Sequence, residues 1–578
     1  MAASNYGDVG NSMGAGSPRT NAYKRFKKLE TDRSSWRGHW IELSDYVLPR
    51  RGRFLMESPG AGGRKRNNKI IDSTASGALR TMAAGMMSGM SSPARPWHRR
   101  TIADKDLRER GDVRKWLGQV EQIERSILNK SNFYNVVYNV YKELGVFGTA
   151  PLYRQKNFDQ VIRFRQFTAG EYVIAENDQG IVDTLGREFQ MTVHQIVGKF
   201  VHDKISNKMN WHLVSSSVKN LWDKGNYDEL LPVAHMISPR SLSDRDLKSK
   251  LSRDMAFKSC YFETGGDREA LLEESGYRKM PAYVPRWDVL NGDVYGSSPG
   301  MDTLPDIKQL QHQQKRKAQA IDKLVNPPMQ GPSSLKGRPT TTLPGQTTYY
   351  DPLGGDQGFR PTYQIQPRIN EMALDIKETQ NRIEQGFYAD LFKMMISSDR
   401  RNITATEVVE RHEEKLVLLG PVLQRLNVEL FDPLLEDVFD YAMEAGLLPE
   451  PPEALYEAEL EVEYISLLAQ AQQAVSASSL ERTLGFAGNM AAVFPDVLDN
   501  IDADVAIREY SDTIGTSPTV MRDADAVAEL RRKRAEQQAQ AQQQEEAMIG
   551  AQSAKVLSET DTQSPNALTD LISRGASI

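Results

Sequence analysis

The chain has 578 residues, of which 39% are hydrophobic, and carries a formal net charge of −5. No hydrophobic run reaches the length of a membrane span, Cys260 is the single cysteine, and the eight histidines are scattered singly. These features exclude a transmembrane chain, an internal disulfide and a histidine-rich metal site, and they argue against coating of nucleic acid through bulk positive charge. We therefore expect two to four domains in a reducing compartment, with no metal, no cofactor and no membrane contact.

The N-terminal part of the chain is predicted to be helical after a disordered start. Residues 1–20 are rich in Gly, Ser and Asn and lack the apolar core of a signal peptide. Residues 21–48 carry apolar residues at helical spacing, and Pro49 ends that helix. The basic, glycine-rich stretch 50–69 is either a phosphate-binding loop or a mobile solvated loop. The spacing predicts further helices over about 74–90, 112–129 and 133–145.

The pattern changes from helical to alternating over residues 161–190, in the segments VIRFRQF, EYVIAEN and IVDTLGREFQM. Asn177-Asp178-Gln179-Gly180 is typical of a turn, so this region is predicted to be antiparallel β-structure. Short strands are also predicted at 230–237 and 256–264, and helix resumes between these β segments at TVHQIVGKF. The predicted fold class is therefore mainly α with a smaller β component, that is, α+β.

Two further helices, over 304–325 and 370–395, enclose an insertion at residues 326–368 that is rich in proline and glycine. The insertion has no helical period, so it is predicted to be extended or β-rich. After Pro452 the chain is predicted to be mostly helical to about residue 509. The segment 525–548 has high helix propensity but little apolar stripe, so it either needs partner helices or is disordered. Residues 549–578 are predicted to form a disordered tail.

Residues 404–446 carry apolar side chains at helical spacing over many turns, so one face of a long helix is predicted to be buried. Pro421, after Gly420, removes one backbone hydrogen bond and crowds a carbonyl, which predicts a kink. Pro433 is predicted to bend the helix again or to divide it. Ten acidic residues stand against three basic ones in this stretch. The acidic face is either an ordinary solvated face or a surface that lines something to which it must not adhere.

No catalytic motif in the sequence is chemically complete. Gly296-Ser297-Ser298-Pro299-Gly300 matches the G-x-S-x-G pattern of hydrolases. However, the residue after the nucleophile must donate its backbone N–H to the oxyanion, and Pro299 has none. There is no G-x-x-x-x-G-K-[ST] motif, and the sequence offers no metal–carboxylate cluster for a nuclease. We therefore expect no catalytic residues and no enzyme activity.

Five stretches follow one another between roughly residues 25 and 450: Trp36 to Pro49, DSTASGALRTMAAGMMSGMSSPARPW, VFGTAPLY, YGSSPGMDTLPDI, and TATEV with EK and LGPVLQRLNVELFDPLL. Together they resemble the portal (head-to-tail connector) proteins of short-tailed, podophage-type bacteriophages. The C-terminal quarter of the chain has no such stretch.

The resemblance implies the portal fold, assembled as a ring that is normally dodecameric, at one vertex of the capsid. Double-stranded DNA would enter through this ring during packaging and leave through it during ejection. The implied regions are a wing at 21–300, stem helices at 301–325 and 369–396, a clip at 326–368, a tunnel loop at 397–403, a kinked channel or wing helix at 404–450, crown helices at 451–524 and a helix or barrel at 525–548.

The resemblance also implies which residues face DNA and which proteins bind the ring. The DNA-facing loop would consist of Ser397, Ser398, Asp399, Arg400, Arg401 and Asn402. The acidic part of the channel helix would consist of Glu407, Glu410, Glu413 and Glu414. An acidic lumen repels phosphate, so DNA would slide rather than bind. The implied partners are other copies of the chain, DNA, the major capsid protein, the scaffolding protein, terminase, the tail adaptor and internal ejection proteins.

The implied location is the virion, after assembly in the host cytoplasm. Two alternatives stay open on the sequence. The first is another helical structural or scaffolding protein of a virion, and the second is a nuclease or hydrolase.

Overall fold

The computed structural model describes residues 17–54, 66–104, 107–108, 110–157, 159–202, 208–246, 249, 251–290, 292–331, 333, 336, 360–362, 367–397, 419–456, 460–466, 468, 483–491, 494–513 and 524–559. The chain divides into two compact units. The first comprises Met1–Arg99, Val120–Leu448 and Val462–Ile514, and the second comprises Arg100–Gln119, Pro449–Glu461 and Gly515–Ile578.

The α-helices are α1 (Pro18–Tyr46), α2 (Thr74–Met90), α3 (Gly111–Lys130), α4 (Phe133–Phe147), α5 (Val193–Ile196), α6 (Ser216–Asp223), α7 (Pro299–Val325), α8 (Ile369–Gly386), α9 (Ala389–Ser397), α10 (419–426), α11 (Asp432–Glu444), α12 (483–491), α13 (Ala503–Thr513) and α14 (Ala524–Glu559). Two π-turns span Val197–Val201 and Asn427–Phe431. Short 3₁₀ turns span Pro49–Phe54, Trp211–Leu213, Leu242–Asp244, Ser252–Asp254, Glu453–Leu455 and Pro495–Asn500.

The strands are β1 (His98–Ile102), β2 (Leu152–Asn157), β3 (Val161–Gln166), β4 (Tyr172–Glu176), β5 (Val182–Thr192), β6 (Leu230–Pro239), β7 (Phe257–Glu263), β8 (Glu273–Tyr277), β9 (Ala282–Tyr283), β10 (Met329–Gln330), β11 (Arg360–Pro361) and β12 (Leu460–Tyr464). Strands β4 to β8 form a five-stranded antiparallel sheet in chain order, and β2 lies between β3 and β9 in a second antiparallel sheet. Strands β10 and β11 pair within the proline-rich insertion. The predicted α+β class, mainly helical, is confirmed.

The core of the first unit forms where helices approach one another through small residues. Gly85 of α2 lies directly against Phe392 of α9, and Gly145 of α4 lies against Met82 of α2. Trp97 is 1% exposed, and its ring lies 5.1 Å from the ring of Phe431. The alanine- and glycine-rich composition of α2 thus permits the close packing of three helices.

The five-stranded sheet is covered on one face by α1. Phe26 and Leu29 of α1 pack in one buried cluster with Val173, Ala234 and Phe262 of three strands. The opposite face of the sheet contributes to the main core. The alternation of residues that predicted the strands therefore corresponds to two buried faces.

In the second unit, the side chain of Trp116 is 6% exposed, and its Nε1 donates a hydrogen bond to the carbonyl oxygen of Pro449 at 3.0 Å. Helix α14 is 36 residues long, and from residue 528 onward every side chain of α14 whose burial is described is exposed.

Several element boundaries differ from the predictions. Residues 18–20 belong to α1 rather than to a disordered start, because Ser17 caps that helix by accepting a hydrogen bond from the Thr20 backbone amide. At the other end of the chain, α14 extends to Glu559, into the predicted tail. Helix α7 begins at Pro299, several residues before the predicted start, because Ser298 caps it.

The single helix predicted over 370–395 is divided into α8 and α9. The break lies at Tyr388, whose φ of +54° is left-handed and incompatible with a continuous helix. The turn lets Phe387, Leu391 and Phe392 all become buried, so tertiary packing outweighs the local helical pattern.

Five strands lie outside the sequence predictions. Strands β1, β2, β8 and β9 were not predicted, and β12 lies in a segment that was predicted to be helical. In β12 the sequence Leu-Glu-Val-Glu-Tyr alternates apolar and acidic residues, and that period of two was the available signal.

The long helix predicted over 404–446 is described from residue 419 onward. Helix α10 continues into the π-turn Asn427–Phe431, and α11 then starts with Pro433 in its first turn. The backbone stays right-handed helical at Leu426, Phe431 and Asp432, so the helix continues through the π-turn and is not divided at Pro433. The bend at Pro433 stays a prediction. Gly420 and Pro421 lie in α10, but the carbonyl that Pro421 would crowd belongs to residue 417, outside the described residues. The kink at Pro421 stays a prediction.

Candidate functional site: a helix pair and the charges that anchor it

The helix pair α7–α8 starts from a rigid base. The Ser298 hydroxyl donates to the Val146 carbonyl oxygen at 2.7 Å and accepts from the Met301 amide at 3.1 Å. A Cβ on Gly300 would lie 2.9 Å from the carbonyl oxygen of Gly145, so the start of α7 is in close contact with α4. The G-x-S-x-G match is therefore a buried helix cap, and its serine has a structural role.

Helices α7 and α8 run antiparallel and pack closely. Thr303 lies against Gly386, where a Cβ would be 2.1 Å from the threonine methyl group. Further along, Asp306 forms an ion pair with Arg382 at 3.2 Å, and Gln313 Nε2 donates to an oxygen of Asp375 at 2.6 Å. The apolar contacts between them are buried at Ile307, Leu310, Ile376 and Ile383.

Asp72 ties both helices to the start of α2. One oxygen, Oδ2, accepts hydrogen bonds from Gln314 Nε2 of α7 at 2.8 Å and from Gln380 Nε2 of α8 at 2.9 Å. The other, Oδ1, accepts from the amide and hydroxyl of Thr74. Burial alone would raise the pKa of Asp72, but the bonds from Thr74, Gln380 and Gln314 hold it below its ordinary value. The ionised carboxylate is thus the form that joins the three helices.

The far end of α7 has no such cover. Ile321, Leu324 and Val325 are 40%, 47% and 81% exposed, and Leu374 on α8 is 70% exposed. These α7 residues lie within about a third of a turn of one another, because each residue advances about 100° around a helix. They form what we call the distal stripe. A contiguous apolar stripe on a helix is the pattern of a contact surface.

The helical segment from residue 419 to Glu444 is anchored by buried charges. Arg286 binds Glu429 of the π-turn through its Nη2 at 2.7 Å and Glu176 of β4 through its Nη1 at 2.8 Å. Arg286 also donates to the carbonyl oxygen of Gly180 at 2.7 Å. Its side chain is only 5% exposed, so this guanidinium joins three segments from inside the subunit.

A second buried group lies about two turns further along the helix. Asp437 of α11 lies 2.6 Å from the Nε atom of Arg154 and accepts a hydrogen bond from the Tyr283 hydroxyl at 2.6 Å. Burial raises the pKa of Asp437 above its usual range, although Arg154 and Tyr283 act in the opposite direction. The pair joins α11 to β2 and β9.

The remaining acids of this segment are also engaged. Lys279 binds Glu436 at 3.2 Å and Asp440 at 3.0 Å, Lys156 binds Glu444, and the Tyr464 hydroxyl donates to Asp432. The six acids between residues 419 and 444 therefore all bind cations or hydroxyl groups of the same unit. Glu436, Asp440 and Glu444 are 47% to 58% exposed, so this part of the acidic face is solvated, whereas Glu429 and Asp437 are held by buried arginines. That the face lines a channel stays a prediction.

Most of the predicted DNA-facing residues lie outside the part of the chain that the structure describes. Ser397 is the last residue of α9. Outside the described residues lie Ser398, Asp399, Arg400, Arg401, Asn402, Glu407, Glu410, Glu413 and Glu414, so their placement stays a prediction.

Sequence reasoning missed the anchoring residues Asp72, Arg154 and Arg286. Their side-chain partners on other segments lie between 110 and 308 positions away along the chain, and one sequence contains no signal that pairs residues over such distances. The pattern PAYVPRWDV, with an arginine inside an apolar run, was the one available hint for Arg286.

Among the residues that the structure describes, no group of histidine, cysteine, aspartate and glutamate could hold a metal ion. The described helices include none that is long and apolar enough to cross a membrane.

Sequence comparisons with known proteins cover most of the chain. The model of the family "Bacteriophage head to tail connecting protein" matches residues 19–521. The chain is 45% identical over 547 residues to the "Probable portal protein" of Bordetella phage BPP-1, covering 95% of this chain and 96% of that protein. It is 42% identical over 547 residues to the "Portal protein" of Salmonella phage epsilon15, covering 94% and 96%.

Similar solved structures include the virion of a native gene transfer agent particle and the neck of an empty particle of that agent. The first has a TM-score of 0.31 at 11% identity and covers 71% of this chain and 95% of its own. The second has a TM-score of 0.34 at 11% identity and covers 75% and 95%. The family model and the two phage relatives confirm the resemblance seen in the sequence. The chain belongs to the bacteriophage head to tail connecting proteins, a family of structural rather than enzymatic proteins.

Proposed function

We propose that this chain assembles into a closed, dodecameric portal ring at one capsid vertex and conducts double-stranded DNA during packaging and ejection. Family membership supports the connector role. The distal stripe is the observation that supports assembly. Its residues Ile321, Leu324 and Val325 are apolar, lie next to one another and are exposed to solvent. A second copy of the chain would cover this stripe when helix pairs pack side by side around a ring.

The charges of the two helices favour the same arrangement. Helix α7 carries five basic and three acidic residues, whereas α8 carries four acidic and two basic ones. An α7 of one subunit against an α8 of the next would place opposite net charges together. Such a heterologous contact generates a ring when its rotation closes.

The regions that the family resemblance implies extend this proposal. Helices α7 and α8 would form the stem, residues 326–368 the clip, and residues 397–403 a loop that faces the channel. The partners would be the major capsid protein, scaffolding protein, terminase, tail adaptor and internal ejection proteins, with assembly in the host cytoplasm. Arg400 and Arg401 would contact DNA phosphates transiently, because arginine side chains are long and always charged.

Assembly is tested by light scattering behind size exclusion and by negative-stain microscopy of the full-length chain. Wild-type protein should form rings with a central hole, and the Leu324→Asp, Val325→Asp double variant should not. Gln319→Asp is the matched control, because residue 319 lies on the opposite side of the same helix and is exposed. A wild-type monomer at all concentrations, or rings formed equally well by the double variant, would contradict the proposal.

The channel loop is tested separately. Arg400→Ala combined with Arg401→Ala should leave rings intact and alter the packaging or retention of DNA, with an effect that shrinks as salt rises. Unchanged packaging by this variant at low salt would show that the loop is an ordinary connection.

A further inference from the structure

Three cations converge where the five-stranded sheet, on its face opposite α1, meets strand β3 of the second sheet. Arg187 of β5 pairs in register with His235 of β6, and His235 pairs with Tyr261 of β7, so the three side chains lie in one row. Lys199 lies above this row, with its Nζ 3.7 Å from the centre of the Tyr261 ring. We call Arg165, Arg187 and Lys199 the cationic seam.

Arg187 is the unusual member of the seam, because two of its three guanidinium nitrogens are buried without a hydrogen-bond acceptor. It is 5% exposed, and its Nε and Nη1 atoms are buried with no hydrogen-bond partner. Its guanidinium carbon lies 4.7 Å and 4.1 Å from the ring centres of Phe167 and Phe189. Contacts with two aromatic faces offset only part of the cost of burying a charge, and an unpaired buried N–H adds to that cost.

The nearest acids offset only part of the charge of the seam. Glu171 favours the ionised form of Arg187 and Glu273 favours that of Lys199, but burial outweighs both and lowers the pKa of each cation.

Several polar groups in and beside the row are already engaged. His235 Nε2 lies 2.9 Å from the Ser259 hydroxyl, and the nearby Tyr153 and Tyr277 hydroxyls hydrogen-bond to each other at 2.9 Å. Burial holds the pKa of His235 well below its usual value, so its ring is neutral. Beside these engaged groups, the Nε and Nη1 atoms of Arg187 keep their hydrogen-bonding capacity unmet.

We infer that the cationic seam is a binding site for one oxyanion group, a carboxylate or a phosphate, which binds Arg187 and is flanked by Lys199 and Arg165. Such a group supplies the acceptors that the guanidinium N–H donors lack, and charge-assisted bonds of this kind are the strongest hydrogen bonds in proteins. Arg165 is exposed on β3, so it stands on the solvent side of the site. The two flanking rings favour a flat guanidinium that presents its edges to a ligand.

The oxyanion has two possible sources with the same chemistry: a free inorganic anion, or an acidic side chain of a neighbouring protein chain. The inference does not depend on ring assembly, because the site consists of residues from one subunit. The two sources differ in one respect. A free anion would bind unassembled and assembled protein alike, whereas a neighbour's side chain would occupy the site in the assembly.

The test is isothermal titration of inorganic phosphate into the full-length chain at low ionic strength, before and after assembly. Unassembled wild-type protein should bind phosphate saturably at one site. Arg187→Met should weaken binding about tenfold or more, in line with the loss of charged hydrogen bonds. Arg163→Met is the matched control, because Arg163 is exposed two residues from Arg165 on the same strand, and it should bind phosphate like the wild type.

Lys199→Met provides a second variant if Arg187→Met fails to fold by circular dichroism, and it should also weaken binding. Loss of binding on assembly would identify a neighbour's side chain as the source, and retained binding would identify a free anion. Absence of saturable binding to unassembled wild-type protein would overturn the inference and leave ordered water as the partner of Arg187. Equal losses in Arg187→Met and Arg163→Met would overturn it as well, because they indicate only diffuse attraction.

Discussion

Glu429 accepts three hydrogen bonds from Arg286. The arginine backbone amide donates to Oε2 at 2.8 Å, and its Nε and Nη2 donate to Oε1 at 3.1 Å and 2.7 Å. Because the same guanidinium also binds Glu176, the loop before α7 holds the π-turn and the β4–β5 hairpin in one arrangement. The structural role of the acidic helix therefore lies in its binding of cations within the subunit.

Arg286→Met should lower the stability of the subunit by about 3–5 kcal/mol, because it leaves two carboxylates without their buried partner. The measurement is the midpoint of denaturant unfolding, followed by far-UV circular dichroism. Lys279→Met is the control, since its pairs with Glu436 and Asp440 are exposed and should contribute about 1 kcal/mol or less. Equal losses in the two variants would show that burial does not govern this ion pair.

Asp72→Asn should weaken the junction of α2, α7 and α8 at neutral pH. The asparagine amide would present a donor to Gln314 and Gln380, which already donate, and the partly exposed site makes a loss of about 1–2 kcal/mol reasonable. The pKa of Asp72 is lowered in the folded state, so its stabilisation is present above its ordinary value of 3.8 and is lost as pH falls through the folded pKa.

Melting temperatures at pH 7 and pH 3 test the direction of this pH dependence. The difference between the wild type and Asp72→Asn should be largest at pH 7 and should shrink at pH 3. Glu378→Gln, at an exposed position on α8, should show little difference at pH 7. A difference in melting temperature between the wild type and Asp72→Asn that widens on acidification would contradict the assigned role of the ionised carboxylate.

Glu143→Gln should stabilise the protein at alkaline pH. Burial raises the pKa of Glu143 to about 7, although Arg51 and Thr168 favour its charged form. Because the folded state holds the proton more tightly, the stability from this group is complete below the ordinary value of 4.5 and is lost as pH rises through about 7. Glutamine keeps the neutral form at every pH, so its advantage should approach the order of 3 kcal/mol at pH 8.

Thermal unfolding of Glu143→Gln from pH 5 to pH 8 checks this expectation. The advantage in melting temperature over the wild type should grow from pH 5 to about pH 7 and level off above it. Asp178→Asn, at an exposed turn position, is the control and should follow the wild-type profile. A constant difference across this range would refute the titration of Glu143.

Gly85→Ala should disturb the packing of α2 against α9. The added methyl group would lie 2.3 Å from Phe392 Cβ, which is too close to the backbone of α9 to move aside, so a loss of about 1–3 kcal/mol is expected. Gly77→Ala in the same helix meets no atom within 4 Å and should be neutral or stabilising by up to about 1 kcal/mol. Denaturant unfolding of both variants measures the contrast, and similar effects would mean that helix propensity outweighs packing here.

The sequence alone determined the elements whose signal is local. The helical period of α1 and α3 and the alternation of β3 to β5 around the Asn177–Gly180 turn all depend on neighbours within a few residues, so one chain reveals them. The order of short sequence stretches over some 400 residues also indicated the family, because such stretches can be recognised without knowing which residues they contact in the fold.

Tertiary structure alone decided the features that depend on distant partners. Tyr388 breaks a helical pattern because Phe387 and Phe392 gain burial in the core, and Ser298 caps a helix because Val146 lies beside it. The same reason explains the acidic helix. The sequence around Glu429 is typical of a surface charge, but in the fold Arg286, 143 positions away, lies against it. The free energy of that ion pair depends on a desolvated contact that no local pattern encodes.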